Sequence, residues 1–361
     1  MDNLQNSRIT MHYKNLQDSP PISLDVYFPS TDTEVGSIGD ASLIPAVIYF
    51  HGGGLTVGNR GSWFPAWLQK RVISLGYAFI SADYRLIPPS TGHDIVKDIQ
   101  DLFTFIKETE MKNGLRSFKV DPNKIAVSGS SAGGLCAYLA ATHCVPKPKA
   151  LVSIYGMGGN FFTSHYLKPK EEIFFRGREL LESSDFSEYL YPYTHGTLSP
   201  ISDSPLAYHP QTYHIPGYPA NKRMLLARLY LQLGTFLDYY TGMHSPSLSK
   251  LLLDILETEG TPTVEDYKRL IPQGHRSIFP QLGVNRTWPA TILLHGTADS
   301  AVPIEESRHM RQLLEDSQVP VELLEFSDKE HSFDYEPGAE EEWKEKFDGV
   351  KDFLHKWLRL V

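Results

Sequence analysis

The chain has 361 residues, of which 41% are hydrophobic and 21% are charged, and this composition is ordinary for a globular protein of one large or two domains. Its formal net charge of −9 argues against a nucleic-acid partner, because nucleic-acid phosphates would be repelled. No apolar run approaches the ~20 residues of a membrane-spanning helix, and the first residues do not resemble a secretory signal. Cys136 and Cys144 are the only cysteines. We interpret them as buried free thiols, which favours a reducing, cytoplasmic location.

The first part of the chain alternates between short apolar strands and helices. Strands are predicted at 8–13, 23–28, 46–50, 77–81, 125–128 and 150–155, helices at 62–75, 94–109 and 134–142, and a polar loop at 30–42. Apolar strands that alternate with helices are typical of a mostly parallel, doubly wound sheet, and we therefore predict an α/β fold.

The alternation stops at 156 and resumes at 287, where strands at 290–294 and 321–326 and helices at 304–317 and 339–360 follow. We therefore predict one α/β domain, made of 1–155 and 287–361, and a helical insertion at 156–286. The insertion holds two apolar helices, at 222–240 and 246–256. Over the carboxyl edge of a parallel sheet, such an insertion would form a cap. Its apolar stripe could instead contact a membrane or a partner, but its few basic residues favour packing on the α/β domain.

A G-x-S-x-G pattern, Gly129-Ser130-Ser131-Ala132-Gly133, lies between a predicted strand and a predicted helix. That strand–turn–helix context is the one in which the pattern indicates a nucleophilic serine. The turn forces Ser131 into a strained backbone conformation and presents its hydroxyl beside the positive helix N-terminus. Ser131 is therefore the candidate nucleophile. Ser130 does not fit the spacing and is expected to face the interior.

A glycine-rich loop, His51-Gly52-Gly53-Gly54, follows the strand predicted at 46–50. Consecutive glycines after a strand leave backbone N–H groups free to converge on one point, which is the arrangement of an oxyanion hole. A phosphate-binding loop is the main alternative. It would need a Gly-Lys-Ser/Thr ending or a G-x-G-x-x-G start, and the sequence has neither here.

An acid and a base are predicted in two later loops. Asp299 and His331 each follow a predicted strand, and the chain order Ser131, Asp299, His331 is the one expected for an α/β-hydrolase triad. In such a triad the imidazole takes the proton of the serine and the carboxylate orients the imidazole. Glu305 and Asp328 are the nearest substitute acids.

Together, the glycine loop, Asp83-Tyr84-Arg85-Leu86, the serine motif and the two loop residues resemble the hormone-sensitive-lipase-like branch of the α/β-hydrolases. The resemblance implies the α/β-hydrolase fold with a helical cap insertion. It implies a catalytic triad of Ser131, Asp299 and His331. It implies that the N–H groups of Gly53, Gly54 and Ala132 are the oxyanion donors. Asp83 and Arg85 would have structural roles.

Three departures from this family affect the expected substrate. Leu55 stands where the family has an aromatic residue, and we expect it to contact the substrate and widen the acyl side of the pocket. Ile87-Pro88-Pro89 replaces the usual Ala-Pro-Glu. The family's N-terminal cap helices are not evident, so the insertion at 156–286 would replace them.

From this resemblance we expect a serine hydrolase that cleaves carboxylic esters through an acyl-enzyme, with no metal and no organic cofactor. The Tyr- and Leu-rich insertion favours a small-molecule ester that is bulky and apolar or aromatic. A non-hydrolytic lyase or cyclase could use the same triad and oxyanion hole. A ligand receptor that has lost catalysis is disfavoured because all three triad residues are present. The sequence leaves a homodimer open.

Overall fold

The computed structural model describes residues 8–17, 19–29, 42–113, 116–193, 198–258 and 262–359. The polar loop predicted at 30–42 lies outside the described residues except for Ser42. No helix in the described ranges is long and apolar enough to cross a bilayer.

The described strands form one nine-stranded sheet. They are β1 (Arg8–Leu16), β2 (Ser19–Tyr27), β3 (Ser42–Phe50), β4 (Ala78–Ala82), β5 (Glu110–Asn113), β6 (Arg116–Ser130), β7 (Ala150–Ile154), β8 (Ala290–Gly296) and β9 (Val321–Phe326). The order is β1-β2-β4-β3-β6-β7-β8-β9, with β5 paired to β6 off this path. From β4 to β9 every neighbouring pair on the path is parallel, whereas β1 and β2 are antiparallel additions at one edge. The predicted mostly parallel sheet is confirmed.

Twelve α-helices occur in the described residues. Those of the α/β part are α1 (Ala66–Ser74), α2 (Gly92–Glu108), α3 (Ala132–His143), α10 (Glu305–Asp316), α11 (Ala339–Glu342) and α12 (Lys344–Arg359). Between β7 and β8 lie α4 (Ser164–Leu167), α5 (Arg223–Gln232), α6 (Phe236–Thr241), α7 (Leu248–Leu256), α8 (Val264–Leu270) and α9 (Gln273–Arg276). No strand of the sheet comes from the described part of that stretch.

The sheet separates two apolar layers because successive strand residues point to opposite faces. On β3, Ile48 and Phe50 belong to the layer that α2 and α3 complete, whereas Val47 and Tyr49 belong to the layer completed by α1 and α12. Helices on both faces make the sheet doubly wound, as predicted.

Two long helices predicted from the sequence are interrupted. The helix predicted at 222–240 is split into α5 and α6, because Gly234 adopts a φ of +65° between them. The helix predicted at 339–360 is split into α11 and α12 at Trp343, whose ψ of 19° is not helical. The hairpin of β5 and β6 was not predicted, because the polar sequence of β5 carries little strand signal. Cys136 and Cys144 are both buried and free, as predicted.

Candidate active site

The turn around Ser131 joins the end of β6 to the start of α3. Ser131 has a φ of +54° and a ψ of −122°, a sparsely populated conformation for a residue with a side chain. A Cβ on Gly133 would lie 1.9 Å from the Phe50 carbonyl oxygen, so only glycine fits this close approach. The Ser131 N–H donates to the Ile154 carbonyl (2.9 Å), and its carbonyl accepts the Met157 N–H (3.0 Å). These bonds hold the strained turn in place.

Ser130 and the glycine loop lie on either side of this turn. Ser130 is buried, as predicted, and its hydroxyl is 2.7 Å from the Tyr49 hydroxyl. A Cβ on Gly52 would lie 3.3 Å from the Ser131 Cβ, so the loop that begins at Gly52 runs directly beside the candidate nucleophile.

Three backbone N–H groups near Ser131 have no hydrogen-bond acceptor among the described residues. Gly53 and Gly54 have φ values of +110° and +61°, which only glycine adopts readily. Their N–H groups donate no hydrogen bond to a described residue. Ala132 is the first residue of α3, where an N–H has no partner within the helix. These groups, which the sequence predicted as oxyanion donors, are free to bind a developing negative oxygen.

His51 supports the glycine loop from behind. It is fully buried, and burial lowers the pKa of its imidazole to about 4, so the ring is neutral at pH 7. Its Nδ1–H donates to the Gly52 carbonyl (2.7 Å), and its ring stacks on Tyr84 at 4.4 Å between centroids. The Tyr84 hydroxyl donates to the His51 carbonyl (2.7 Å). This neutral histidine fixes the loop without placing a second charge near Ser131.

Asp83 and Arg85, for which the resemblance implies structural roles, form two ion-pair groups beside this loop. Asp83 accepts the Arg60 N–H (2.5 Å) and pairs with its guanidinium (2.6 Å). Arg85 pairs with Asp98 at 2.8 Å and with Asp94 at 3.1 Å. Burial raises the pKa of Asp83 to about 7, although Arg60 opposes the shift. The buried charges on this side of the molecule are paired with one another.

Asp299 and His331 meet above the ends of β8 and β9. The His331 Nδ1–H donates to Asp299 Oδ2 at 2.7 Å, and Asp299 Oδ1 accepts the N–H groups of Ala301 and Val302, both at 2.9 Å. The ring of His295 lies 3.3 Å from the same carboxylate. Burial alone would raise the pKa of Asp299, but attraction to His331 and the hydrogen bonds from His295 and His331 outweigh it. The pKa of Asp299 is held well below its usual value, and the carboxylate is ionised at neutral pH.

The substitute acids lie elsewhere. Asp328 is exposed, and the exposed Glu305 pairs with Arg308 at 3.3 Å.

Two supports of His331 were missed by sequence reasoning. The ring of Tyr155 lies 4.5 Å from its imidazole, and the Glu330 carboxylate accepts its backbone N–H (2.6 Å). Glu330 directly precedes His331, but an acidic residue in a loop is too common to signal this role, and the packing of Tyr155 depends on the fold.

A cavity of about 260 Å³ opens above Ser131. One side of it, the sheet wall, belongs to the α/β part and includes Gly53, Gly54, Ser131, Tyr155 and His331. The other side, the helical wall, comes from the stretch between β7 and β8 and includes Tyr166, Phe175, Arg178, Tyr218, Leu225, Arg228, Leu231 and Phe236. Ser131 and His331 thus line the same cavity, and the candidate oxyanion loop lines it too.

Leu55, predicted from the sequence to contact the substrate, is not among the described residues that line this cavity. It is fully buried in the apolar core, and its carbonyl accepts the Ile87 N–H (2.8 Å). Its side chain packs away from the cavity, so the structure gives no support to a direct contact with substrate. In the described ranges, no three His, Cys, Asp or Glu side chains converge as metal ligands would.

Comparison with known proteins identifies the fold family. A model described as the α/β hydrolase fold matches 47–214, and a model of the prolyl oligopeptidase family matches 246–360. An esterase of Thermogutta terrifontis, solved with butyrate bound, superposes with a TM-score of 0.56 over 97% of this chain and 94% of its own, at 18% identity. The chain has the α/β-hydrolase fold. An α/β hydrolase superfamily protein from Enterococcus faecalis superposes on it equally well, with a TM-score of 0.56 over 96% and 100% of the two chains, also at 18% identity.

Curated relatives of this chain fall into two groups. A probable carboxylesterase of a Phoma species is 29% identical over 41% of the chain and 47% of its own length. A non-reducing polyketide synthase of Penicillium brevicompactum is 25% identical over 90% of the chain but only 14% of its own length. The chain therefore spans about half or less of the length of these relatives. The resemblance to hormone-sensitive-lipase-like hydrolases, and the fold that it implied, are confirmed.

Proposed function

We propose that this α/β-hydrolase is a serine esterase that cleaves carboxylic esters of bulky apolar or aromatic compounds through an acyl-enzyme. The observation that carries the proposal is the cavity shared by Ser131 and His331, in which His331 is bonded to Asp299 at 2.7 Å. The stretch 156–286 acts as a cap in this proposal. The buried free thiols of Cys136 and Cys144 support a cytoplasmic site of action. A homodimer stays a prediction.

The proposed reaction begins with proton transfer. Because the His331 Nδ1–H donates to Asp299, Nε2 is left with a lone pair to accept the Ser131 proton. The Ser131 oxygen attacks the ester carbonyl, and the resulting oxyanion is bound by the three free backbone N–H groups near Ser131. Each such donor is typically worth about 3–4 kcal/mol in the transition state. Collapse of the intermediate transfers the proton from His331 to the leaving alcohol. Water then attacks the acyl-enzyme by the same route.

The helical wall supports the choice of substrate. Tyr166, Leu231 and Phe236 bring aromatic and aliphatic surface to the cavity, and such surface favours an apolar acyl or alcohol group by burying it from water. Comparison with known proteins favours hydrolysis over the lyase or cyclase alternative, since the named proteins include an esterase and a probable carboxylesterase.

Cleavage of a polyketide thioester is a second candidate function. The observation that favours it is the match of 90% of this chain to part of a polyketide synthase. The same three side chains could release such an acyl group, with a thiolate as the leaving group. Hydrolysis of an oxygen ester and a thioester that carry the same aromatic acyl group would separate the two candidates by their kcat/KM values.

The proposed function is tested with Ser131→Ala and, as a matched control, Ser130→Ala. We expect a fluorophosphonate to add one label to the wild-type enzyme and to Ser130→Ala, and none to Ser131→Ala, as measured by intact mass. Ser131→Ala should also lose turnover of 4-nitrophenyl hexanoate, whereas Ser130→Ala should keep it. Labelling or turnover that persists in Ser131→Ala would exclude Ser131 as the nucleophile.

A further inference from the structure

The charged side chains of the cavity are all of one sign. Among the described lining residues, Arg176, Arg178 and Arg228 are basic and none is acidic, although the whole chain has a net charge of −9. Arg176 lies 3.8 Å from Glu330, whereas no ion pair joins Arg178 or Arg228 to a described residue. Arg178 is exposed and Arg228 is buried. The cavity therefore offers positive charge from its exposed margin to its interior.

Two buried arginines on α5 show how unusual Arg228 is. Arg223 is 6% exposed and donates to the carbonyl oxygens of Thr56, Ile87 and Pro88. Arg228 is 8% exposed, makes no hydrogen bond to a described residue, and its Nε is buried without a partner. Arg223 and Arg228 are five residues apart on one helix, but described residues accept hydrogen bonds only from the guanidinium of Arg223.

The helix that carries Arg228 packs on the candidate oxyanion loop. A Cβ on Gly54 would lie 2.1 Å from the Cβ of Ala227, so α5 packs directly on the glycine loop. Arg228 follows Ala227 and lines the same cavity as Ser131. Because Arg223 fastens the start of α5 to the α/β part, the helix that carries Arg228 is fixed beside the cavity.

An unpaired buried cation is costly to the free protein. An arginine side chain stays protonated in proteins, so Arg228 does not escape this cost by losing its charge. Burial lowers the pKa of Arg228, the nearby Tyr218 raises it and Arg178 lowers it further. Buried charges are normally paired, and a bound anion would supply the missing partner.

We propose that Arg228, with Arg178 beside it, forms an anion subsite that binds a carboxylate of the substrate other than the ester being cleaved. The proposal rests on the esterase function and narrows its substrate class to esters that carry an ionised carboxylate. A planar guanidinium can bind a carboxylate through two parallel N–H donors, and such bonds are strong where water is excluded. The aromatic and aliphatic remainder of the helical wall would hold the carbon skeleton between the carboxylate and the ester.

The test compares matched esters that carry either an ionised carboxylate or a methyl group at the same position. On the acyl side, the 4-nitrophenyl monoester of adipate is compared with 4-nitrophenyl hexanoate; on the alcohol side, 4-acetoxybenzoate is compared with 4-methylphenyl acetate. In one of the two pairs we expect the wild-type kcat/KM to favour the anionic ester by about tenfold or more. Arg228→Met should lower that anionic-to-neutral ratio by about 10- to 100-fold, and Arg228→Lys should restore part of it.

Arg269→Met is the matched control, because Arg269 is an exposed arginine of α8 that pairs only locally with Asp266. It should leave the ratio unchanged. If Arg228 were merely structural, Arg228→Met would lower kcat/KM equally for the anionic and the neutral ester of each pair. It would also lower the melting temperature. Under the proposal the melting temperature is unchanged or raised, because a buried unpaired charge is removed. A wild-type ratio near one in both pairs would overturn the subsite.

A binding measurement separates this proposal from the esterase function. In the Ser131→Ala background, calorimetric titration with adipate should show binding that Arg228→Met weakens by about tenfold or more. Hexanamide, which is neutral, should not distinguish the two proteins. Absence of ester turnover in the wild-type enzyme would overturn the esterase function alone, whereas equal adipate binding with and without Arg228 would overturn the subsite alone.

Discussion

The sheet wall and the helical wall of the cavity are built by different physical means. On the sheet wall, the positions of the proposed reacting groups are set by backbone: the strained turn at Ser131, the positive φ values of Gly53 and Gly54, and the amides that hold Asp299. On the helical wall, the lining is made of side chains on α4, α5 and α6 and on the loops between them.

This difference separates chemistry from selection. Backbone groups fixed by a sheet cannot adapt to one substrate or another, so a change on the sheet wall should affect all esters alike. Side chains on helices and loops can differ in size and charge without disturbing the sheet, so a change on the helical wall should alter the ratio between esters. Kinetic measurements on matched variants of the two walls therefore test this division.

The largest expected effect is that of Asp299→Asn on the sheet wall. The neutral amide can neither stabilise the charged imidazole nor favour the tautomer that leaves Nε2 free, so kcat should fall about 10³- to 10⁴-fold for every ester. The measurement is steady-state kinetics on several acyl esters. Asp328→Asn, at the exposed substitute acid of a nearby loop, is the control and should keep its activity. A loss in Asp328→Asn instead would assign the orienting acid to Asp328.

A smaller effect is expected from Leu231→Ala on the helical wall. Leu231 is 4% exposed and lines the cavity, so its truncation should enlarge the space for the substrate. The ratio of kcat/KM for long over short acyl esters should rise about tenfold, at a cost of about 2–4 kcal/mol in the free energy of unfolding. Leu256→Ala, on α7 and outside the described lining, should leave that ratio unchanged. A uniform loss on all esters in Leu231→Ala would contradict the division between the walls.

The smallest effect concerns Glu306, where the two walls join. This fully buried carboxyl of α10 accepts the N–H groups of Gly158 (2.6 Å) and Gly159 (3.0 Å) and the hydroxyl of Tyr166. Burial raises the pKa of Glu306 from 4.5 to about 8, whereas the three hydrogen bonds oppose the shift. Between about pH 4.5 and 8, the folded state therefore holds a proton that the unfolded chain has already released.

The free energy of unfolding should therefore contain a contribution from Glu306 that is complete below about pH 4.5 and is lost as the pH rises to about 8. Denaturant unfolding from pH 5 to 8 should show the wild-type enzyme losing stability relative to Glu306→Gln, by a few kcal/mol at most. A pH-independent difference between the two proteins would show that the carboxyl is ionised throughout this range.

Sequence reasoning succeeded where a local pattern has a single physical meaning. Glycines around Ser131 and after His51 indicate close backbone approach, and both loops have the expected backbone shape. The Asp299–His331 contact followed from two loops at the same edge of a parallel sheet. The break at Gly234 was not predicted, because an isolated glycine is tolerated within many helices.

The charge state of the helical wall was beyond sequence reasoning. Arg223 and Arg228 are the same residue type on the same short helix, and nothing in their spacing tells which one the protein satisfies. The answer depends on carbonyl oxygens of residues distant in sequence, such as Thr56 and Pro88. The buried position of Leu55, likewise, follows from the three-dimensional course of the glycine loop rather than from its place in the motif.

The bonds of Arg223 also restrict how molecules enter and leave. They fasten α5 to the chain around Thr56 and Pro88, and the contact of Ala227 with Gly54 leaves no gap between the helix and the loop. The helix α5 cannot move away from the α/β part without exposing Arg223 and breaking the contact between Ala227 and the glycine loop beside Ser131. Arg176 and Tyr208 line the cavity and are exposed, so we expect substrate and products to pass at this margin. In the proposed mechanism the departing alcohol and the incoming water share this margin, so bulky alcohols should slow the release of the acyl group.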